Sequence, residues 1–190
     1  MRFLILMLLL SSGLADAQEG IRLVDFKNFT YPLSGPTLGH HSLKWLDMST
    51  AKHIRLANGK GGSGSQGFTL GSVAFVDVTG DGQEDALVAI HLDTGGTQQT
   101  DYVYIYSFVF GRPNLLAYFH SGDRGSSGLY KVYGENGKLV VELFDPEKRS
   151  GDCCSSGFVR TRYKWSHGQF VTFGARESGS LAIEEHTSEP

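Results

Sequence analysis

From about residue 68 onward, apolar and polar side chains alternate with a period of two, and glycine-bearing turns cut the alternation into short runs. No long stretch carries apolar residues at the 3.6-residue spacing of a helix. A chain written this way must bury one face of each run against its neighbours, which predicts antiparallel β-structure. Glycine agrees: 25 of 190 residues are glycine, well above the usual ~7% and without the strict third-position period of collagen. The expected fold is all-β, a single antiparallel domain that is sandwich-like or a twisted meander.

Phe68 to Val78 and Ala86 to Leu92 are apolar on both faces near the loop they share, so they are predicted to be central strands. Tyr102, Tyr104, Tyr106, Phe108 and Phe110 form one face of a further strand, with Val103, Ile105 and Val109 on the other. That strand is predicted to be covered on both sides, which favours a core role for the aromatic stripe over a stacking platform for sugars. Leu115 to Ser121, Leu129 to Tyr133 and Leu139 to Phe144 follow, the last two joined through Asn136-Gly137, whose positive φ values suit a tight hairpin. Val159, Thr161, Tyr163 and Trp165 alternate with Arg160, Arg162 and Lys164, giving one buried face and one of solvated cations that discourages edge pairing. His167-Gly168 then turns the chain into Gln169 to Phe173. Before residue 68 the pattern weakens. Ile21 to Tyr31, Leu43 to Leu46 and His53 to Leu56 are candidate strands, and Gly59 to Gly67 reads as a glycine and serine loop.

The first residues read as an address. Met1 and Arg2 precede the apolar run Phe3 to Leu10, and Ala15-Asp16-Ala17 is a small-x-small cleavage pattern, so residues 1–17 are expected to be a signal peptide. The apolar run is too short for a membrane span, which takes about 20 residues. The expectation is an exported protein, periplasmic or secreted, with a β-domain over 18–174, no membrane span after signal cleavage, and a flexible acidic tail over 175–190. Seventeen basic against twenty acidic residues leave a formal net charge of −3. That balance lacks the basic footprint of a nucleic-acid binder.

The strongest chemical signal is Asp77-Val78-Thr79-Gly80-Asp81-Gly82-Gln83-Glu84-Asp85, set between two apolar strands. Calcium takes six to eight hard oxygens, and a loop with oxygens at alternate positions can curl them around one centre. Asp77, Thr79, Asp81, the Gln83 carbonyl and Asp85 fall at positions one, three, five, seven and nine, with Gly82 where a sharp turn needs no Cβ. Position twelve is Val88 rather than the bidentate glutamate of an EF-hand, and no helix is predicted on either flank. The loop instead resembles the calcium loops between strands in the FG-GAP blades of integrin-type propellers. The expected cofactor is Ca2+ in a structural role. The same residues also make ordinary Asx-type turns, so an empty turn is the competing reading.

Cys153 and Cys154 are adjacent. Neighbouring Cα atoms stand about 3.8 Å apart, closer than the usual disulfide span, so a bond between them is strained and reducible. A vicinal disulfide, free thiols, and an intermolecular bond or soft-metal site all remain open. Gly62-Ser63-Gly64-Ser65-Gln66-Gly67 spells G-x-G-x-x-G but precedes a strand instead of opening a helix, which removes it as a dinucleotide site. His40-His41, His53, His91 and His120 have no His-x-x-x-His or paired carboxylate to frame them, and Asp123-Arg124 reads as a loop ion pair. Asn28-Phe29-Thr30 fits a glycosylation sequon.

Taken with these marks, "VDFKNFTYP" at 24–32, "EDALV" at 84–88, "YVYIYSF" at 102–108, "GDRGSSGLYKVYGENGKLVVELF" at 122–144 and "GDCCSS" at 151–156 resemble a group of bacterial exported proteins without assigned function. In that group proline often follows the paired cysteines, where this chain has Ser155. The resemblance implies an envelope or secreted β-domain and carries no catalytic residues across. The leading expectation is a non-catalytic module, calcium-stabilised, that binds a protein or an envelope glycan. The alternatives are a hydrolase of envelope polymers using Asp and His from loops, and a redox-responsive protein using Cys153 and Cys154. Ligand, biological process and oligomeric state are not written in the residues.

Overall fold

The period-two alternation is realised as two packed antiparallel sheets. The computed structural model describes residues 20–38, 52–63, 66–96, 99–123, 127–150 and 154–181. The signal segment 1–17, His40-His41, the Leu43 to Leu46 candidate strand, Arg124, Cys153 and the tail from 182 lie outside the described residues. The first sheet takes its strands in the order β3 (Lys60–Ser63), β4 (Gln66–Val76), β5 (Asp85–Asp93), β6 (Gln99–Val109) and β7 (Arg112–His120). It is a meander in which each strand pairs antiparallel with the next. The second sheet is built on β8 (Leu129–Gly134), β9 (Leu139–Phe144) and the long β12 (Gly157–Ser166). On the far side of β12, β13 (Gln169–Thr172) and β14 (Glu177–Ser180) share its length end to end. Two small ladders complete the fold: β1 (Thr30–Pro32) with β2 (His53–Arg55), and β10 (Arg149–Ser150) with β11 (Cys154–Ser155).

Alternation along β5 and β6 feeds two cores from one sheet. Leu87, Ala89, Val103 and Ile105 point toward Leu139, Val141, Tyr163 and Phe170 of the second sheet. Val88, Ile90, Leu92, Tyr102, Tyr104 and Tyr106 point the other way, onto Ile21, Phe26, Tyr31, Ile54 and Leu56 of the amino-terminal segment. The first sheet is thus buried on both faces, as its doubly apolar strands predict. The tyrosine stripe is core: Tyr102, Tyr104 and Tyr106 are all buried and no sugar reaches them. Tyr104 and Tyr118 stack at 5.8 Å, and Tyr31 meets Tyr104 at 5.0 Å. The hydroxyls of Tyr104 and Tyr106 are buried with no hydrogen-bond partner among the described residues, so the rings rather than the oxygens serve this core.

Five expectations are corrected. Ile21 to Tyr31 is not one strand. Asp25 accepts from the Lys27 and Asn28 amides and from the Asn28 side chain, and these local bonds wind Phe26–Asn28 into a 3-10 turn, leaving only Thr30–Pro32 extended. Gly59 to Gly67 is not simply a loop, because Asn58 and Gly59 take positive φ and start β3, which pairs with β4. Glycine at 61 permits the approach, since a Cβ there would meet the Arg55 carbonyl oxygen. Phe110 has left its strand for a turn with Gly111, at φ 51°, and is 96% exposed. The Arg160, Arg162 and Lys164 face is on an inner strand, and its arginines are paired: Arg160 with Glu142 and Glu177, Arg162 with Glu135 and Glu177. Finally, order continues past Gly174, because Glu177–Ser180 pairs with Gly157 to Arg160 and its first residue joins those ion pairs.

Candidate metal centre in the 77–85 loop

The acidic loop joins β4 to β5, so strands stand on both flanks. Val78, fully buried in the core between the sheets, pins the loop to the body of the domain. Gly80 and Gly82 take φ of 78° and 84°, which lets the chain reverse twice within a few residues. The turn between β8 and β9 presses on it from the second sheet: a Cβ on Gly137 would lie 3.0 Å from the Gly80 Cα. Asn136-Gly137 therefore does more than close a hairpin, since its bare glycine lets the two loops touch.

Within this frame the carboxylates turn inward onto backbone amides. Asp77 Oδ1 accepts from the amides of Thr79 at 3.1 Å and Gly80 at 2.6 Å, and Oδ2 accepts from Gly82 at 3.0 Å. The Thr79 hydroxyl also leans toward Asp77 Oδ1, at 3.4 Å. Asp85 Oδ2 accepts from the Val78 amide at 3.0 Å and the same Thr79 amide at 3.2 Å. One N–H thus draws together the first and ninth positions of the loop. Asp81 bonds the Gln83 amide at 2.9 Å, inside its own turn. Hydrogen bonds thus draw Asp77, Thr79 and Asp85 together, while Asp81 bonds within its own turn to the Gln83 amide. Among the described residues, no three His, Cys, Asp or Glu side chains are grouped closely enough to share an ion.

The electrostatics of the loop centre on Asp85, which is 1% exposed. Burial pushes its carboxyl up to about 7, and the negative charges of Asp81 and Asp77 push the same way, while the Val78 and Thr79 hydrogen bonds pull against them. Glu84 has a cation of its own: Arg22 grips it with Nε at 2.5 Å and Nη2 at 2.7 Å, and lies 5.0 Å from the centre of the Phe75 ring. Sequence reasoning missed that pair, because 62 positions separate its members and nothing local announces it.

The other candidates are scattered. His91 meets Asp101 across β5 and β6 at 3.1 Å, on a half-exposed surface, and burial raises the Asp101 carboxyl while His91 lowers it. His120 stacks near Tyr102, and burial lowers its pKa. His53 is exposed on β2. Cys154 pairs through its backbone with Ser150. Asn28, the sequon residue, is already engaged, with its Oδ1 accepting from the Asn58 amide and its Nδ2 donating to Asp25. No helix among the described residues is long and apolar enough to cross a membrane. No protein-family model, curated protein or solved structure matches the chain.

Proposed function

We propose that this is an exported, non-catalytic β-domain whose 77–85 loop holds a structural calcium ion and which binds a protein or an envelope glycan. Asp77, Thr79, Asp81, the Gln83 carbonyl and Asp85 are the ligands. The observation that carries the reading is Asp85: a buried carboxylate, near two others, with only two amides to balance its charge. A buried charge in that position is costly unless a proton or a cation joins it. A calcium ion supplies the cation, holds one inter-strand loop, and asks for no open coordination position. A meander sheet buried on both faces suits a scaffold for loop-borne recognition.

Isothermal titration of calcium into chelator-stripped protein tests the ion directly. A saturable heat and a raised melting temperature are expected, both lost in Asp81→Ala. No heat and no melting shift would end the proposal. The hydrolase reading calls for a pocket gathering His91 or His120 with two carboxylates; among the described residues His91 has one carboxylate partner and His120 lines a cleft without any. The redox reading turns on Cys153 and Cys154, and mass measurement after alkylation without reductant reads their state.

A further inference from the structure

Strand register places the acidic loop at one end of the first sheet, where Asp85 faces Val76 and Ala86 faces Tyr106. At the other end Tyr102 faces His120, and there the two sheets part around a cavity of about 70 Å³. Its walls are apolar, with Phe119 from the first sheet facing Leu143 and Val159 from the second. Polar groups enter from β12, from the link between β13 and β14, and from His120, Ser121 and Ser127. Tyr163 is 3% exposed and no hydrogen bond engages its hydroxyl among the described residues. Thr161 lies two positions before it on the same face, and Arg176 stands close enough for its charge to act on the Tyr163 hydroxyl.

Arg176 is unlike the arginines nearby. Arg160 and Arg162 are each held by two glutamates, whereas no carboxylate pairs with Arg176 among the described residues. Among the described residues no Asp or Glu lines the cavity either. A tyrosine hydroxyl that reaches the cavity, an exposed cation without a counter-ion among the described residues and an apolar wall therefore meet at one small space. A guanidinium fork and a hydroxyl donor suit a carboxylate, and the walls suit a short hydrocarbon stem.

We propose that this cavity binds the carboxylate end of a small apolar acid, with Arg176 and Tyr163 holding the carboxylate and Phe119, Leu143 and Val159 packing its stem. Size limits the ligand: a cavity of about 150 Å³ holds the six carbons of benzene, so half that volume takes a stem of about three carbons, with the carboxylate at the mouth beside the exposed Arg176. The same chemistry is offered by a free short-chain acid and by the carboxy-terminal residue of a peptide.

Chemical-shift titration of the chain with butyrate, and with butyramide as its uncharged counterpart, tests the site. Saturable shifts around Tyr163 and Thr161 are expected with butyrate, and binding at least about tenfold weaker with butyramide. Arg176 is exposed, so Arg176→Gln is expected to fold and to weaken butyrate by about tenfold or more, with Tyr163→Phe costing about fivefold. A tripeptide ending in valine, free or amidated, separates the sources. Tighter binding of the free-ended peptide than of butyrate identifies a chain terminus, and equal or weaker binding identifies a free acid. Equal affinity for butyrate and butyramide, non-saturating shifts, or an unchanged Arg176→Gln titration would overturn the proposal. Asp81→Ala is expected to bind butyrate normally, so the fate of the calcium loop does not decide this result.

Discussion

Among the described residues the two most deeply buried carboxylates, Asp85 at 1% exposure and Glu142 at 2%, are treated differently. Glu142 on β9 accepts from Arg160 Nε at 2.7 Å and from the Tyr133 hydroxyl at 3.0 Å, and Arg160 is steadied in turn by Glu177. Asp85 has backbone amides and two like-charged neighbours. The chain thus builds its own counter-charge for one buried acid and none for the other. What separates them is topology. Strand β12 lays an arginine beside Glu142, whereas at the tip between β4 and β5 the groups that bond Asp85 are the amides of its own loop. A divalent ion would supply at Asp85 what a guanidinium supplies at Glu142.

The largest effect is expected where that counter-charge is removed. Arg160→Met leaves Glu142 buried without its cation and is expected to cost about 3 kcal/mol, read as a shift in the urea midpoint. Adding Glu142→Gln should recover most of the loss. A cost under about 1 kcal/mol in the single variant would break the contrast, because the pair would then behave as an ordinary surface bridge.

Next comes pH. Asp85 has a folded-state pKa of about 7, raised from 3.8, so the native state holds a proton that the unfolded chain has already released between those values. The associated stability is fully present below pH 3.8 and is lost as pH rises through 7. In chelator, unfolding free energy is expected to fall by on the order of 3 kcal/mol across that window. Asp85→Asn should be flat there, and saturating calcium should remove the decline in the parent protein by replacing the proton. A parent curve that is already flat in chelator would mean that the amides alone satisfy Asp85. Smaller again is Tyr104→Phe, which deletes a buried hydroxyl that has no partner among the described residues and should stabilise by about 1 kcal/mol in the same urea assay.

Much of the architecture was legible because it is written in local alternation. The β9 hairpin and the doubly covered β6 follow from residues that anyone can count, and Asn136-Gly137 and His167-Gly168 adopt the positive φ values their types favour. Asn58-Gly59 carries the same signature but was masked by the glycine and serine run after it, which resembles a loop in composition yet pairs as a strand. Phe110-Gly111 turns with the same φ signs on a residue that disfavours them, so no propensity rule would place a turn there. For the acidic loop, the spacing marked the sharp turn at Gly82, which takes a φ of 84°. It could not foretell the burial of Asp85, which depends on Val78 and on the β8–β9 turn from a sheet far along the chain. The ion pairs at Glu142 and Glu84 were illegible for the same reason: each joins residues whose only relation is the fold.

Glu84 offers the finest test of the contrast, because Arg22 is the nearest candidate for a cation that already serves the loop. It grips Glu84 with both ends of its guanidinium, next to Asp85 in sequence, while remaining exposed. If that charge also balanced Asp85, Arg22→Gln would steepen the stability loss between pH 4 and 7 and strengthen the dependence on calcium. The geometry argues otherwise. Arg22 commits its Nε and Nη2 to Glu84, and among the described residues the hydrogen bonds to Asp85 come from the Val78 and Thr79 amides. Arg22→Gln is therefore expected to leave the slope of the pH curve unchanged and to shift the melting temperature only slightly, as for an exposed pair. A steeper slope would make Arg22 the loop's resident counter-charge, and would place Asp85 in the same class as Glu142.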